Sequence, residues 1–218
     1  MVGAPRTGEL KPQMRITRSA IAVAGVMTAA AVILGYVALG ALPMFLFAVG
    51  FCGGFLWWLY VPSRATFAWI RMPYFLTLAL FVAHKWEERV YGFFPALSDI
   101  TGVPAPSTDS PLVVALYSLA AAWLLVPYLL RHRHELGYYL VSTFFMSMGT
   151  TELAHFAFPL LIDRPYGYFP GMVSVILLAP AAWWGLWRLW CSRTKSSLPA
   201  QLPAVPHRDR RTTLGGHQ

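Results

Sequence analysis

The sequence predicts an all-α membrane protein, a polytopic bundle of about six transmembrane helices with both termini in the cytoplasm. Hydrophobic residues make up 57% of the 218-residue chain and charged residues only 12%, whereas a soluble domain is roughly one quarter charged. Several apolar runs approach or exceed the roughly 20 residues with which a helix crosses a bilayer. The basic residues concentrate in the tails and in alternate connectors, which is the pattern that orients membrane helices.

These observations divide the chain into three parts. One membrane domain is predicted over residues 19–191, and we expect no soluble catalytic domain beside it. A basic cytoplasmic segment is predicted at residues 1–18. A basic, Pro-rich cytoplasmic tail that we expect to be disordered occupies residues 192–218.

The first three spans are predicted from the first apolar runs. Residues 19–42 form the first span, and Pro43 separates it from a second span at residues 44–60. A third span is predicted from about Pro73 to Tyr91. It ends in the stretch VAHKWEERVY, which carries a histidine, two adjacent carboxylates and two bases.

Three further spans follow in the second half of the chain. The loop GFFPALSDITGVPAPSTDSP, which contains no base, separates the third span from a fourth at about residues 112–130. The connector RHRHE leads into a fifth span at about residues 136–161. The aromatic turn IDRPYGYFPG precedes a sixth span at about residues 172–190.

The distribution of charge orients the bundle. The connectors on the side of the termini contain four arginines, Arg64, Arg71, Arg131 and Arg133. The opposite connectors contain three aspartates and one arginine, Asp99, Asp109, Asp163 and Arg164. The positive-inside rule therefore predicts cytoplasmic termini. Because the net charge of +8 serves orientation, no nucleic-acid partner is expected.

Two short polar clusters interrupt the apolar spans. The third span contains His84, Glu87 and Glu88, and the fifth contains Glu152 and His155. At 100° per residue, Glu87 lies about 60° to one side of His84 and Glu88 about 40° to the other. Both spans run outward and place their histidines at similar heights. The two clusters can therefore meet, and ionisable residues that meet within a membrane indicate a functional site.

The spacing of these residues is typical of metal ligands. Glu-x-x-His on facing helices is the element of carboxylate di-metal bundles. The five candidate ligands, His84, Glu87, Glu88, Glu152 and His155, can hold one Zn²⁺ or Fe²⁺, or two bridged metals. The candidate catalytic residues are the three carboxylates, Glu87, Glu88 and Glu152. Two simpler interpretations remain open, namely local pairing of Glu87 and Glu88 with Lys85 and Arg89, and a hydrogen-bonded core role for His155.

The motif HKWEE at residues 84–88 resembles the signature of the HXXEE-motif integral membrane proteins. The later stretches ELAHFAF and RPYGYFPGM are similar to that family's second pattern, in which a membrane histidine precedes a Tyr-x-x-Gly/Pro-Gly turn and a last apolar helix. The resemblance covers roughly residues 76–190. It implies an integral membrane location, in a bacterial inner (plasma) membrane. It leaves the role of the family unassigned, with an enzyme as one candidate, and it supplies no reaction.

The leading functional hypothesis is a metal-dependent membrane enzyme, either a hydrolase or an oxidoreductase. Its partners would be membrane lipid and a hydrophobic, lipid-like substrate that enters from the outer leaflet. A second hypothesis is a metal-free acid–base isomerase or cyclase of isoprenoid or sterol-like substrates, by analogy with the emopamil-binding type of isomerase. A third is a proton-coupled transporter or a lipid- or ion-binding membrane protein. A purely structural polar cluster is the simplest alternative.

Overall fold

A computed structural model describes residues 16–193 of the chain. Within that range every named element is helical, and the only extended pairing is an isolated bridge between Ser63 and Arg193. The prediction of an all-α fold is confirmed. Most of the predicted basic N-terminal segment and of the predicted disordered tail lies outside the described residues.

The first two helices join at a glycine. Helix α1, Arg18–Leu39, is capped by the Thr17 side chain and ends at Gly40, whose φ of 92° requires glycine. Helix α2, Ala41–Phe47, follows at once. The break therefore lies at Gly40 and not at Pro43 as predicted. Pro43 lies in the first turn of α2, where a backbone N–H has no partner within the helix.

The second span passes through a π-helical turn. Helix α2 continues through Ala48–Cys52 into helix α3, Gly53–Tyr60. A Cβ at Gly50 would collide with the hydroxyls of Ser147 and Thr151. The absence of a side chain there allows two chain segments to approach closely, as small residues do between membrane helices.

Helix α4, Phe67–Val90, begins earlier than the predicted start at Pro73. Pro73 lies inside the helix and has no N–H to offer the carbonyl of Trp69. The guanidinium of Arg188 donates two hydrogen bonds to that carbonyl, from Nε at 3.1 Å and Nη2 at 2.9 Å. The proline is tolerated because a neighbouring helix replaces the missing donor.

The predicted loop after α4 contains a short helix. Helix α5, Phe93–Thr101, lies between Gly92 and Gly102, both of which have positive φ. Helix α6, Pro111–Ala121, continues through a 3₁₀ turn into helix α7, Val126–Arg131.

The predicted fifth span is a regular α-helix only in its first half. Helix α8, Glu135–Met146, changes to a π-helical turn at Ser147–Thr151 and then to a 3₁₀ segment at Glu152–Phe156. A second 3₁₀ segment follows at Phe158–Leu161, and helix α9 covers Met172–Cys191.

Five helices in the described range are long and apolar enough to cross a membrane. They are Arg18–Leu39, Ala41–Tyr60, Phe67–Val90, Pro111–Arg131 and Met172–Cys191. Helix α8 is the central element, since residues 137–145 are all buried. Large apolar side chains such as Val26 and Trp86 lie exposed on the outer helices. An apolar exterior around a buried central helix is consistent with an integral membrane protein.

Candidate metal centre

Four ionisable side chains from two segments converge inside the bundle. Helix α4 supplies His84 and Glu88, and the 3₁₀ segment after α8 supplies Glu152 and His155. One potential ligand atom from each residue lies within 4.8 Å of those of the other three. All four side chains are buried. The structure thus brings together four of the five predicted ligands, and this buried group can hold a metal ion.

Helix geometry explains the orientation of each pair. In α4, residues i and i+4 share a face, so His84 and Glu88 point the same way. In a 3₁₀ helix, side chains at i and i+3 eclipse, which places Glu152 and His155 on one line. Because the segment changes from α to 3₁₀ geometry, the side chains of Glu152 and His155 together point toward those of His84 and Glu88.

The two imidazoles face the same two carboxylate oxygens. His84 Nε2 lies 3.0 Å from Glu88 Oε1 and 3.1 Å from Glu152 Oε2. His155 Nε2 lies 3.4 Å and 3.3 Å from those same oxygens. Only the His84–Glu152 contact has hydrogen-bond geometry, and Glu88 Oε1 is a buried oxygen without a hydrogen-bond partner. A buried anionic oxygen without a donor is costly, and a cation at this point would satisfy it.

The other nitrogen of His155 fixes its tautomer. Nδ1 lies 2.6 Å from the carbonyl oxygen of Pro170. A carbonyl only accepts, so Nδ1 must donate its proton. A neutral ring with its proton on Nδ1 would direct the lone pair of Nε2 toward the carboxylates, where a bound cation could accept it.

The Nδ1 atom of His84 is also a hydrogen-bond donor, but its acceptor is a side-chain hydroxyl. Its Nδ1 lies 2.8 Å from Ser174 Oγ, and that hydroxyl donates to the carbonyl of Gly171 at 3.1 Å. Since the hydroxyl has a single proton, it must accept from Nδ1–H. Metal-binding histidines typically donate their second N–H to such an acceptor, and both rings here do so.

Lys85 lies at the edge of this group. Its Nζ is 2.8 Å from Glu88 Oε2 and 3.9 Å from Glu152 Oε1. The local pairing considered from the sequence thus exists for Lys85 and Glu88, together with the contacts between segments. With neutral imidazoles, the two carboxylates and the ammonium leave one negative charge for a bound cation to offset.

Glu87, the fifth predicted ligand, lies outside this group of four, and its roles as a ligand and catalytic residue stay predictions. Its carboxylate accepts from the N–H groups of Val173 and Ser174 at 3.1 and 2.8 Å, and from the Tyr168 hydroxyl at 2.7 Å. It therefore caps the start of α9, where a negative charge is favourable. A step of one residue along α4 turns its side chain toward α9.

Two residues near the cluster were not predicted as part of the site. Tyr168 is about half exposed and donates a hydrogen bond to Glu87. Partial burial and that hydrogen bond raise the pKa of Tyr168 to about 12. Gly171, with φ of 99°, contacts both rings: an added Cβ would lie 2.6 Å from His155 and 2.7 Å from His84. The turn YGYFPGM was the available signal for both residues.

Aromatic side chains and two cavities surround the cluster. The rings of Phe93, Phe158 and Phe169 lie 5.3, 5.5 and 5.9 Å from that of His155. A cavity of about 140 Å³ with mostly apolar walls borders Glu88, Glu152 and His155. A second cavity of about 870 Å³ borders Lys85 and Glu88. The cluster therefore has aromatic rings around His155 and borders two cavities.

Comparison of the chain with protein-family models, with curated proteins and with solved structures gave no match. The functional interpretation therefore depends on the geometry and chemistry of the cluster itself.

Proposed function

We propose that the protein is a metal-dependent, membrane-embedded enzyme, a hydrolase or an oxidoreductase, that acts on a lipid-like substrate. One observation carries the proposal. The Nε2 atoms of His84 and His155, from two separate segments, face the same pair of carboxylate oxygens while both Nδ1 atoms are held by acceptors.

The donor set fits a divalent transition metal. Tetrahedral zinc with bonds of about 2.0–2.1 Å separates its ligand atoms by about 3.3–3.4 Å. Four of the six separations between ligand atoms, the nitrogen–oxygen ones, are 3.0 to 3.4 Å and close to that value, and the four ligand atoms all lie within 4.8 Å of one another. Two imidazoles with carboxylates also suit Fe²⁺. Zinc would favour hydrolysis, and iron would favour oxidation.

The residues of the chain have separable roles around such an ion. His84, Glu88, Glu152 and His155 would hold it, and it would supply Lewis-acid or redox chemistry at the cavity. Ser174 and the Pro170 carbonyl orient the rings. The surrounding phenylalanines exclude water from the His155 side, and the apolar cavity supports a substrate with a hydrocarbon part.

The same proposal includes the arrangement of the chain in the membrane. The α8 segment and its 3₁₀ continuation would make the sixth crossing beside the five apolar helices, with both termini cytoplasmic in a bacterial inner membrane. The arginine-rich connectors support this orientation. The HKWEE motif and the YGYFPG turn, whose residues surround one cluster, support membership of the HXXEE-motif proteins.

An acid–base isomerase or cyclase that needs no metal is the second candidate. The aromatic side chains of Phe81, Phe93 and Phe94 line the cavity beside Glu88, and aromatic faces stabilise carbocations. Metal content separates the two candidates, because only the first requires an ion at the cluster.

Elemental analysis of the detergent-purified protein tests the proposal. We expect about one zinc or iron ion per chain, and its loss in both His84→Ala and His155→Ala. His132→Ala, in the exposed connector between α7 and α8, is the control and should retain the ion. A metal-free wild-type protein, or retention of the ion in both cluster variants, would refute a shared metal site.

A further inference from the structure

We infer that the ligand of this site is an amphiphile with one apolar chain and a negatively charged headgroup, bound with the junction of head and chain at the cluster. The inference rests on the proposed function and specifies its substrate class. It follows from the two cavities that meet beside Glu88 and from the charges at their junction.

The first cavity suits a hydrocarbon chain. It extends from the cluster between α1, α2, α4 and α6, and its walls include Ala31, Phe47, Phe51, Leu116, Ala120 and Trp123. The stacked rings of Phe51 and Trp123, with centroids 5.8 Å apart, form part of these walls. With a volume of about 140 Å³, similar to that of an apolar cavity that binds benzene, the cavity has room for a short stretch of one chain, and the remainder of a longer chain would extend beyond it.

The second cavity suits a polar headgroup. It lies between the end of α4, the start of α5 and the loop at residues 105–109. Its charged lining residues are Lys85, Glu88, Arg89 and Asp109, and Ser107 and Thr108 add hydroxyls. Its walls thus offer charge and hydrogen bonds. The walls of the first cavity are mostly apolar, with charged groups beside the cluster and hydroxyls at Tyr117, Ser147 and Thr151.

The two cavities share residues on their common side. Lys85, Glu88, Phe93, Phe94 and Tyr117 line both. A ligand that occupies both must pass these residues, so its polar–apolar junction lies next to the cluster. The reacting group would then be at that junction, and not at the far end of the chain.

The charge balance favours an anionic headgroup. A divalent ion beside Lys85, Glu88 and Glu152 would leave one net positive charge when the imidazoles are neutral. The Lys85 side chain is 29% exposed, whereas the four cluster side chains are at most 11% exposed. Lys85 is therefore the member of the group that a headgroup can reach, and Arg89 adds a second positive charge to the same cavity.

Photo-crosslinking in phosphatidylcholine nanodiscs tests this ligand class. The probe is dodecyl phosphate with a diazirine near the chain end, and the comparison probe is the corresponding uncharged dodecanol. We expect the phosphate to label peptides of α1 and α6 at the cavity, at a concentration about tenfold lower than the alcohol requires. Labelling confined to the outer apolar belt, or equal labelling by both probes, would overturn the inference.

Two matched pairs of variants locate the two ends of the ligand. Ala120→Phe fills the cavity and should reduce labelling by about tenfold, whereas Ala121→Phe on the exposed side of α6 should not. Lys85→Gln should remove the preference for the phosphate, whereas Arg71→Gln near the other end of α4 should preserve it. Equal effects within either pair would contradict the assignment.

Two further measurements distinguish a failure of the proposed ligand class from a failure of the proposed function. Probes with 6, 8, 10 and 12 carbons should label the wild-type protein with increasing efficiency until the cavity is filled, a test that needs no variant. Metal content is measured on the same samples. An intact metal with no labelling of the cavity would overturn only the ligand class, whereas a metal-free wild-type protein would overturn the proposed function.

Discussion

Glu87 and Glu88 are neighbours in the chain and have different surroundings. Both lie within about 60° of His84 around α4, so helical spacing alone made each a candidate ligand. The position of the neighbouring segments decides between them: Glu88 faces Glu152 and His155, and Glu87 faces the first N–H groups of α9. The residue types and their spacing were therefore predictable, but only tertiary structure shows which carboxylate joins the cluster and which caps α9.

Gly171 gives a prediction at the scale of one residue. In Gly171→Ala the new Cβ would be strained by the positive φ and would displace both imidazoles. We expect metal affinity to fall by roughly 10–100-fold, as it does when the partners that orient metal ligands are disturbed. A chelator competition titration measures this.

Gly102→Ala is the matched control, since Gly102 also has positive φ but has open space around its Cβ position. It should destabilise the fold by about 1–2 kcal/mol and leave metal affinity unchanged. Equal metal affinities in the two variants would show that Gly171 does not position the rings.

At the scale of elements, the fifth predicted span shows that an apolar run in the sequence does not reveal a change of helix type within it. The sequence predicted one segment from 136 to 161, and the structure divides it into α, π and 3₁₀ parts. The π turn packs where Gly50 approaches Ser147 and Thr151. Such a change of helix type depends on a partner segment distant in sequence, so periodicity could not predict it.

Arg188 and Pro73 give a prediction about the pairing of α4 with α9. Replacing Arg188 by Met leaves the Trp69 carbonyl without its donors. We expect a loss of about 1–3 kcal/mol in the free energy of unfolding. Pro73→Ala restores the N–H that the helix lacks, so the same Arg188 substitution should cost less in that background. Denaturant unfolding of the four proteins in detergent forms the double-mutant cycle, and additive effects would contradict the explanation.

At the scale of the whole molecule, composition was sufficient for the fold class. Few charges and long apolar runs predicted an all-α membrane bundle, and five helices meet the requirements of length and composition. Two boundaries were misplaced because prolines were interpreted as breaks. Pro43 lies in a first turn, and the carbonyl that Pro73 leaves free is satisfied by another helix.

Cysteine labelling tests the proposed orientation of the bundle. In a protein with Cys52 and Cys191 replaced by Ser, Ser107→Cys in the α5–α6 connector should react with a membrane-impermeant maleimide on intact cells. His132→Cys should react only after permeabilisation, because the arginines beside it keep that connector in the cytoplasm. The reverse pattern would invert the topology. Labelling of both positions on intact cells would contradict a single membrane crossing between them, Pro111–Arg131.

X-ray absorption spectroscopy at the metal edge most directly tests the claim that two segments share one ion. We expect a first shell of nitrogen and oxygen at about 2.0–2.2 Å, with outer-shell scattering from two imidazoles. His155→Ala as purified should have lost the ion, and when it is reloaded with excess metal its spectrum should show at most one imidazole, whereas His132→Ala should keep two. A spectrum without imidazole scattering, or the same spectrum in wild type and His155→Ala, would contradict a metal centre formed by His84, Glu88, Glu152 and His155.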